Sequence, residues 1–181
     1  NIINTQEIFK KAQEKCDLKV KEDVYNLCSV GSMVYAKGFD LLIDYIKELI
    51  EIRKDFHLYL IGDGPEKENL KSKVKDYHLE KHITFLGYQQ NPYKYMNLMD
   101  GFMLTSRYEG QGMVLWEAKA LGLEIFITKN LEQYNKELKG HEDIVKSLKN
   151  MKKREKTTDN LEDYNNKIIK QLNKLFTAKN E

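Results

Sequence analysis

Four histidines and two cysteines are the whole supply of nitrogen and sulfur metal ligands in 181 residues. His57, His78, His82 and His141 show no H-x-x-x-H or comparable spacing, and Cys16 and Cys28 show none either, so no metal site is expected. The two thiols read as reduced structural cysteines of a cytosolic protein, with a disulfide as the lesser alternative. Long apolar runs are missing: none approaches the roughly 20 residues that span a bilayer. Charge of one sign is also scarce. A formal net charge of +2 is too small to make nucleic acid the main partner. Ser106 has no His or Asp partner at useful spacing, which argues against a nucleophilic serine. The start, Asn1-Ile2-Ile3-Asn4, has neither a methionine nor a signal-peptide pattern and reads as the interior of a longer protein. No internal repeat or low-complexity tract is present.

What remains is a soluble globular composition, 41% hydrophobic and 32% charged, long enough for one good core. Residues 5–15 suggest a short polar helix opened by Thr5, and 16–23 a charged loop. Strands are expected at 24–30, 57–61, 83–86, 102–105 and 124–128. Helices are expected at 39–53, 66–77, 92–99 and 112–121, with Pro65 at the first position of the second of these. Phe39, Leu42, Ile43, Ile46, Leu49 and Ile50 share one face of the 39–53 helix. Gly122 is a natural helix stop. Five alternations of strand and helix predict an α/β fold, a parallel sheet with helices on both faces, in which ligands sit beyond the strands' carboxyl ends. After Thr128 the pattern weakens to short helices at 131–138 and 144–148. Residues 151–158 read as a polar, solvated linker whose basic start is marginal for anionic lipid. From Asn160, the positions Leu161, Tyr164, Ile168, Leu172 and Leu175 predict a last amphipathic helix.

The stretch from Ser106 to Ala118 holds most of the chemistry. It reads as a strand end, a loop bearing Gly110 and Gly112, and the opening turns of a helix. Glycines let backbone N–H groups approach a ligand, and the helix start aims free N–H groups and a positive dipole end into the same space, so an anion such as a diphosphate fits. Glu109 and Glu117 flank this loop, spaced so that both can face one crevice. Carboxylates there need hydrogen-bond donors, and sugar hydroxyls supply them.

The pattern Glu109-x7-Glu117, followed by Ala118 and Ala120-Leu121-Gly122, resembles the E-x7-E signature of retaining glycosyltransferases of the GT-B fold, family 4, group 1. Val30-Gly31-Ser32-Met33 with Lys37-Gly38-Phe39-Asp40 looks like that family's first strand, loop and helix. Leu60-Ile61-Gly62-Asp63-Gly64-Pro65 and Ile83-Thr84-Phe85-Leu86-Gly87 look like its second and third strand ends. Each motif alone is weak; four in order over residues 25–128 are strong. The resemblance implies a Rossmann-like domain, the C-terminal, donor-binding half of such an enzyme. It would occupy 1–150, with 1–23 as leading helix and linker. Residues 151–181 would be a linker and terminal helix packing back on this domain or on an N-terminal domain absent from this sequence.

The implied ligand is a nucleoside diphosphate sugar, with no cofactor or metal required. Glu117 would hold the ribose hydroxyls, Glu109 would face the transferred sugar, and Lys37 would neutralise the departing diphosphate. The backbone at Gln111, Gly112, Met113 and Val114 would bind diphosphate and sugar, together with Gly31 and Ser32. Arg107 would add a second cation, and Tyr88 lies where the base is held. Gly62, Asp63 and Gly64 more simply shape a turn, and Trp116 packs in the core. Two positions depart from the family pattern. Ser32 stands where an arginine is common, and Lys129-Asn130-Leu131-Glu132 stands where a glycine-rich segment is common. The acceptor is implied to be a glycan or lipid of polysaccharide biosynthesis, and the location cytoplasmic or at the inner face of the membrane. The fragment alone is expected to bind and not to turn over. A nucleotide-sugar epimerase or hydrolase on the same fold, or a non-catalytic partner subunit, are the alternatives.

Overall fold

A computed structural model describes residues 4–110, 112–134 and 139–154. The amphipathic helix expected from Asn160 and the linker beyond Arg154 lie outside the described residues. The elements run α1 (Thr5–Ala12), β1 (Tyr25–Val30), α2 (Phe39–Ile50), β2 (Phe56–Ile61), α3 (Lys67–Asp76), β3 (Ile83–Gly87), α4 (Tyr93–Met96), β4 (Gly101–Leu104), α5 (Met113–Ala120), β5 (Glu124–Ile127) and α6 (Ile144–Lys149). Short 3-10 turns occupy Tyr35–Lys37 and Lys129–Tyr134.

All strand pairings are parallel, in the order β3-β2-β1-β4-β5. This is the Rossmann-like α/β sheet that the alternation predicts. Successive strand side chains point to opposite faces, and the two cores follow that alternation. Leu58 and Leu60 enter the core beneath α2, α3 and α6; Tyr59 and Ile61 enter the core beneath α1, α4 and α5. From β1 the chain winds outward through β2 to β3, then crosses back to β4 beside β1 and continues to β5. The winding therefore reverses between β1 and β4, the place where such sheets open a crevice at their carboxyl edge.

Several boundaries differ from the sequence expectation, each for a local reason. Asn4, not Thr5, caps α1, because its Oδ1 accepts from the Glu7 amide at 3.1 Å. α2 ends at Ile50 rather than Arg53, which instead pairs with Asp55 and donates to the carbonyls of Leu148, Lys149 and Met151. Pro65 is not the first helical residue of α3. The Glu66 amide donates to Met33 O at 3.0 Å, so residues 62–66 are tied to the loop after β1 and the helix begins at Lys67. α4 closes at Met96, and Leu98 and Met99 continue in tighter i→i+3 turns. The 131–138 helix is replaced by the 3-10 turn up to Tyr134, and 135–138 lie outside the described residues.

The expected solvated linker is corrected at its start. Met151 is buried, and Arg154 donates to Leu121 O at 2.6 Å and Asn97 O at 3.1 Å. Its amide donates to the buried Asp100 carboxylate, which also receives the Asn26 amide at 2.8 Å. This anchor sits at the amino edge of the sheet, opposite the carboxyl ends. Cys16 and Cys28 are both free thiols, and burial pushes the Cys28 thiol far up.

Candidate functional site

The loops after β1 and β4 meet above the reversal point. Gly38 makes their close contact possible: it adopts φ +64°, and a Cβ there would collide with the carbonyl oxygen of Thr105. Thr105 Oγ1 in turn donates to Gly38 O at 2.7 Å, and the Arg107 amide donates to Ala36 O at 2.8 Å. Lys37 is thereby carried to Glu109, seventy-two residues away in sequence. Its Nζ donates to Oε1 at 3.0 Å and Oε2 at 2.9 Å. Ser106 Oγ donates to Oε2 at 3.0 Å, and Asn130 Nδ2 holds Ser106 O at 3.1 Å. The Glu109 side chain is 9% exposed and that of Lys37 30%. An ammonium has three N–H donors. Two serve Glu109, and no acceptor among the described residues takes the third.

α5 is entered through Gly112, whose left-handed φ of 58° turns the chain into the helix, and among the described residues no side chain caps it. The amides of Met113 and Val114 stand at positions that have no intrahelical acceptor. Gln111 lies outside the described residues. One turn on, Glu117 accepts from Tyr93 Oη at 3.1 Å. Burial pushes the Glu117 carboxyl above its ordinary value, opposed by that hydrogen bond. Burial and the neighbouring carboxylate push the Tyr93 phenol up to about 12. Tyr93, Met113 and Glu117 face Asn4, Glu7 and Lys11 of α1 across a cavity of about 210 Å³. Glu117 lines that cavity, whereas Glu109 is folded onto Lys37 and Ser106.

Gly31 lies beside the Lys37 stem, where a Cβ on it would stand 3.9 Å from Lys37 Cγ and Cδ. Gly31 and Ser32 follow β1, with the Gly31 amide on Ile61 O at 3.0 Å and Ser32 exposed. Gly62 to Gly64 form a turn packed on that loop, as expected: Met33 donates to Asp63 O at 2.9 Å. Tyr88 is 74% exposed just after the edge strand β3. Trp116 is half-buried, with Lys119 Nζ 5.3 Å from its ring, so core packing is only partial. Arg107 is engaged by Asp40 and Tyr35 and does not join Lys37. Tyr93, Ser106, Asp40 and Asn130 are the partners that sequence reasoning missed, and no local signal marks them. Among the described residues, no cluster of three His, Cys, Asp or Glu side chains is placed to hold a metal ion. Among them, too, no helix is long and apolar enough to cross a membrane.

Residues 10–167 match the family described as glycosyl transferases group 1. The lipopolysaccharide core biosynthesis glycosyltransferase LpsD of Rhizobium meliloti is 32% identical over 108 residues, 60% of this chain and 30% of that protein. Among solved structures, WaaG, a glycosyltransferase involved in lipopolysaccharide biosynthesis, matches with TM-score 0.62 and 20% identity, over 82% of this chain and 42% of that one. TarM of S. aureus, in complex with UDP, matches with TM-score 0.59 and 21% identity, over 88% of this chain and 30% of that one. These neighbours are glycosyltransferases of the GT-B fold, and at such identity they speak to the fold alone. The chain spans about a third of the length of the curated relatives it matches.

Proposed function

The chain belongs to the group 1 glycosyl transferases, and from that premise we propose that it is the donor-binding half of a retaining enzyme. The donor is a nucleoside diphosphate sugar, and the sugar goes to a glycan or lipid acceptor held against an N-terminal domain. The single observation that carries this reading is the meeting of Lys37 and Glu109 beside the uncapped start of α5, at the reversal between β1 and β4. When the bond from the anomeric carbon to the diphosphate breaks, negative charge grows on the diphosphate. The remaining Lys37 N–H and the amides of Gln111, Gly112, Met113 and Val114 stabilise it. Gly31 and Ser32 form the floor beneath the phosphates. Glu109 receives a hydroxyl of the transferred sugar. Glu117, with one oxygen held by Tyr93, receives the ribose hydroxyls. Tyr88 lies beside the base.

Titration calorimetry of this chain with UDP, GDP and ADP tests the reading. One of them binds, and Lys37→Ala weakens it without weakening the free nucleoside. Ser32 favours a second reading, a non-catalytic partner subunit, because it stands exposed at the phosphate floor and brings no charge. Binding of none of the three diphosphates would select that reading.

A further inference from the structure

Arg107 carries a positive charge to the mouth of the site and spends it elsewhere. Its Nη1 and Nη2 make a fork onto the two Asp40 oxygens at 2.7 and 2.6 Å. Nη1 also donates to Tyr35 O at 3.0 Å, and the guanidinium carbon stacks 4.0 Å from the centre of the Tyr35 ring. Asp40 lies in the first turn of α2, and the guanidinium holds its carboxyl below the ordinary value. The backbones are joined at the same place: Arg107 and Tyr108 amides donate to Ala36 O at 2.8 and 3.3 Å. Thr105 Oγ1 holds Gly38 O. The carbonyls on either side of Lys37 are thus both anchored to the loop after β4. The stack holds Tyr35 at the start of the turn, and the fork holds Asp40, three residues past its end in the first turn of α2. The guanidinium side chain is 19% exposed and Asp40 36%, so the fork is shielded from competing water more than a surface pair is.

We propose that Arg107 is a positioning residue, which holds the Tyr35–Lys37 turn against the β4 loop so that Lys37 Nζ stands at the donor diphosphate. The proposal rests on the donor-site reading above. It differs from a direct phosphate contact by Arg107 in what Asp40 does. If Arg107 touched phosphate, Asp40 would compete for it, and Asp40→Asn would leave binding unchanged or tighten it. If Arg107 positions Lys37, Asp40 is a working half of the clamp.

The test is calorimetry of this chain with UDP, ADP and GDP, carrying forward the diphosphate that the parent binds, alongside NMR titration with its nucleoside. Melting temperature confirms that each variant is folded. Arg107→Ala and Asp40→Asn are each expected to weaken diphosphate binding by about three- to tenfold, in line with loss of a charge-assisted fork. The double variant is expected to be no weaker than either single one. Arg107→Lys is expected not to rescue, because an ammonium cannot make the fork. In a Lys37→Ala background, neither substitution is expected to change binding further. Nucleoside affinity is expected to stay at the parental value throughout. Parental affinity in Asp40→Asn beside a loss in Arg107→Ala overturns the proposal in favour of direct contact, and an equal loss for the nucleoside overturns it in favour of a general packing role. Failure of the parent to bind any of the three diphosphates removes the donor reading, and this proposal with it. A parent that binds and responds to Lys37→Ala, with Arg107→Ala at parental affinity, removes the proposal alone.

Discussion

Glu109 and Glu117 are the same residue type, at the two ends of one loop and helix, and the fold treats them in opposite ways. Glu109 is nearly enclosed, but an ammonium and a hydroxyl satisfy it. Glu117 is half-buried with one neutral donor, Tyr93, and burial raises its pKa. A buried carboxylate without a cation is costly unless donors arrive to satisfy it. The contrast teaches that the protein itself balances the carboxylate at the loop end, while the one at the helix end keeps acceptor capacity that a single phenol does not fill. Sugar or ribose hydroxyls are suitable neutral donors, and the cavity beside Glu117 gives them room.

The comparison can be broken most directly at its unbalanced end. Glu117→Ala is expected to weaken nucleoside diphosphate binding at least about tenfold, since hydrogen bonds to a charged acceptor are worth roughly 1.5–3 kcal/mol each. Calorimetry showing parental affinity would remove Glu117 from the site. Lys37→Ala is expected to cost about five- to tenfold on the diphosphate and nothing on the nucleoside, because its proposed partner is phosphate. Tyr93→Phe should have a smaller effect, about threefold on the diphosphate and none on its 2′,3′-dideoxy analogue, because it loosens the carboxylate proposed to hold the ribose. Equal losses on both ligands would show that Tyr93 acts on the site by another route.

Two further substitutions sharpen the contrast with smaller effects. Glu109→Ala is expected to leave diphosphate binding unchanged or slightly tighter, since it frees Lys37, while weakening the complete sugar donor. A competition assay between the two ligands reads this. The smallest effect concerns stability. Burial holds the folded pKa of Glu117 above the ordinary 4.5, so the folded carboxyl takes up its proton first as pH falls. The desolvation cost is therefore in force at neutral pH and is relieved as pH drops through the folded value towards 4.5. Glu117→Gln, which cannot ionise, is expected to melt on the order of 1–3 °C above the parent at pH 7, with the gap closing on acidification. A gap that widens in acid would show that the environment of Glu117 does not disfavour its charge.

Most of the fold was legible in the sequence, because its cues are local. Apolar runs bounded by Gly31, Gly62, Gly87 and Ser106 are strands ending at one edge, and the stripe from Phe39 to Leu49 on α2 is buried as its spacing requires. Gly122 stops α5 with φ 76°, where only a residue without a Cβ turns easily. Errors fell where a distant partner overrode the local cue. Arg53 left its helix for the end of α6, and Glu66 delayed α3 by bonding to Met33. The segment from Met151 looked solvated because its three basic residues are in a row, yet the Arg154 side chain reaches the carbonyls beneath α4 and α5.

The site divides in the same way. Glu109, Glu117, Lys37 and the glycine at the start of α5 are visible as residues with motif spacing. What each of them touches is not. Lys37 meets Glu109 across 72 positions, Arg107 meets Asp40 across 67, and Tyr93 meets Glu117 across 24. By itself the sequence determined the order of strands and helices, the sheet edge on which the motif-bearing loops lie, and the polar residues those loops carry. All of these follow from periodicity and backbone freedom within a few residues. Only the tertiary structure decided that Arg107 would pair with Asp40 and stack on Tyr35, and that one glutamate would be paired and the other left beside a cavity. Those outcomes depend on β4 lying beside β1, a contact that closes about seventy residues of intervening chain, and no local pattern encodes which side chains such a closure brings face to face.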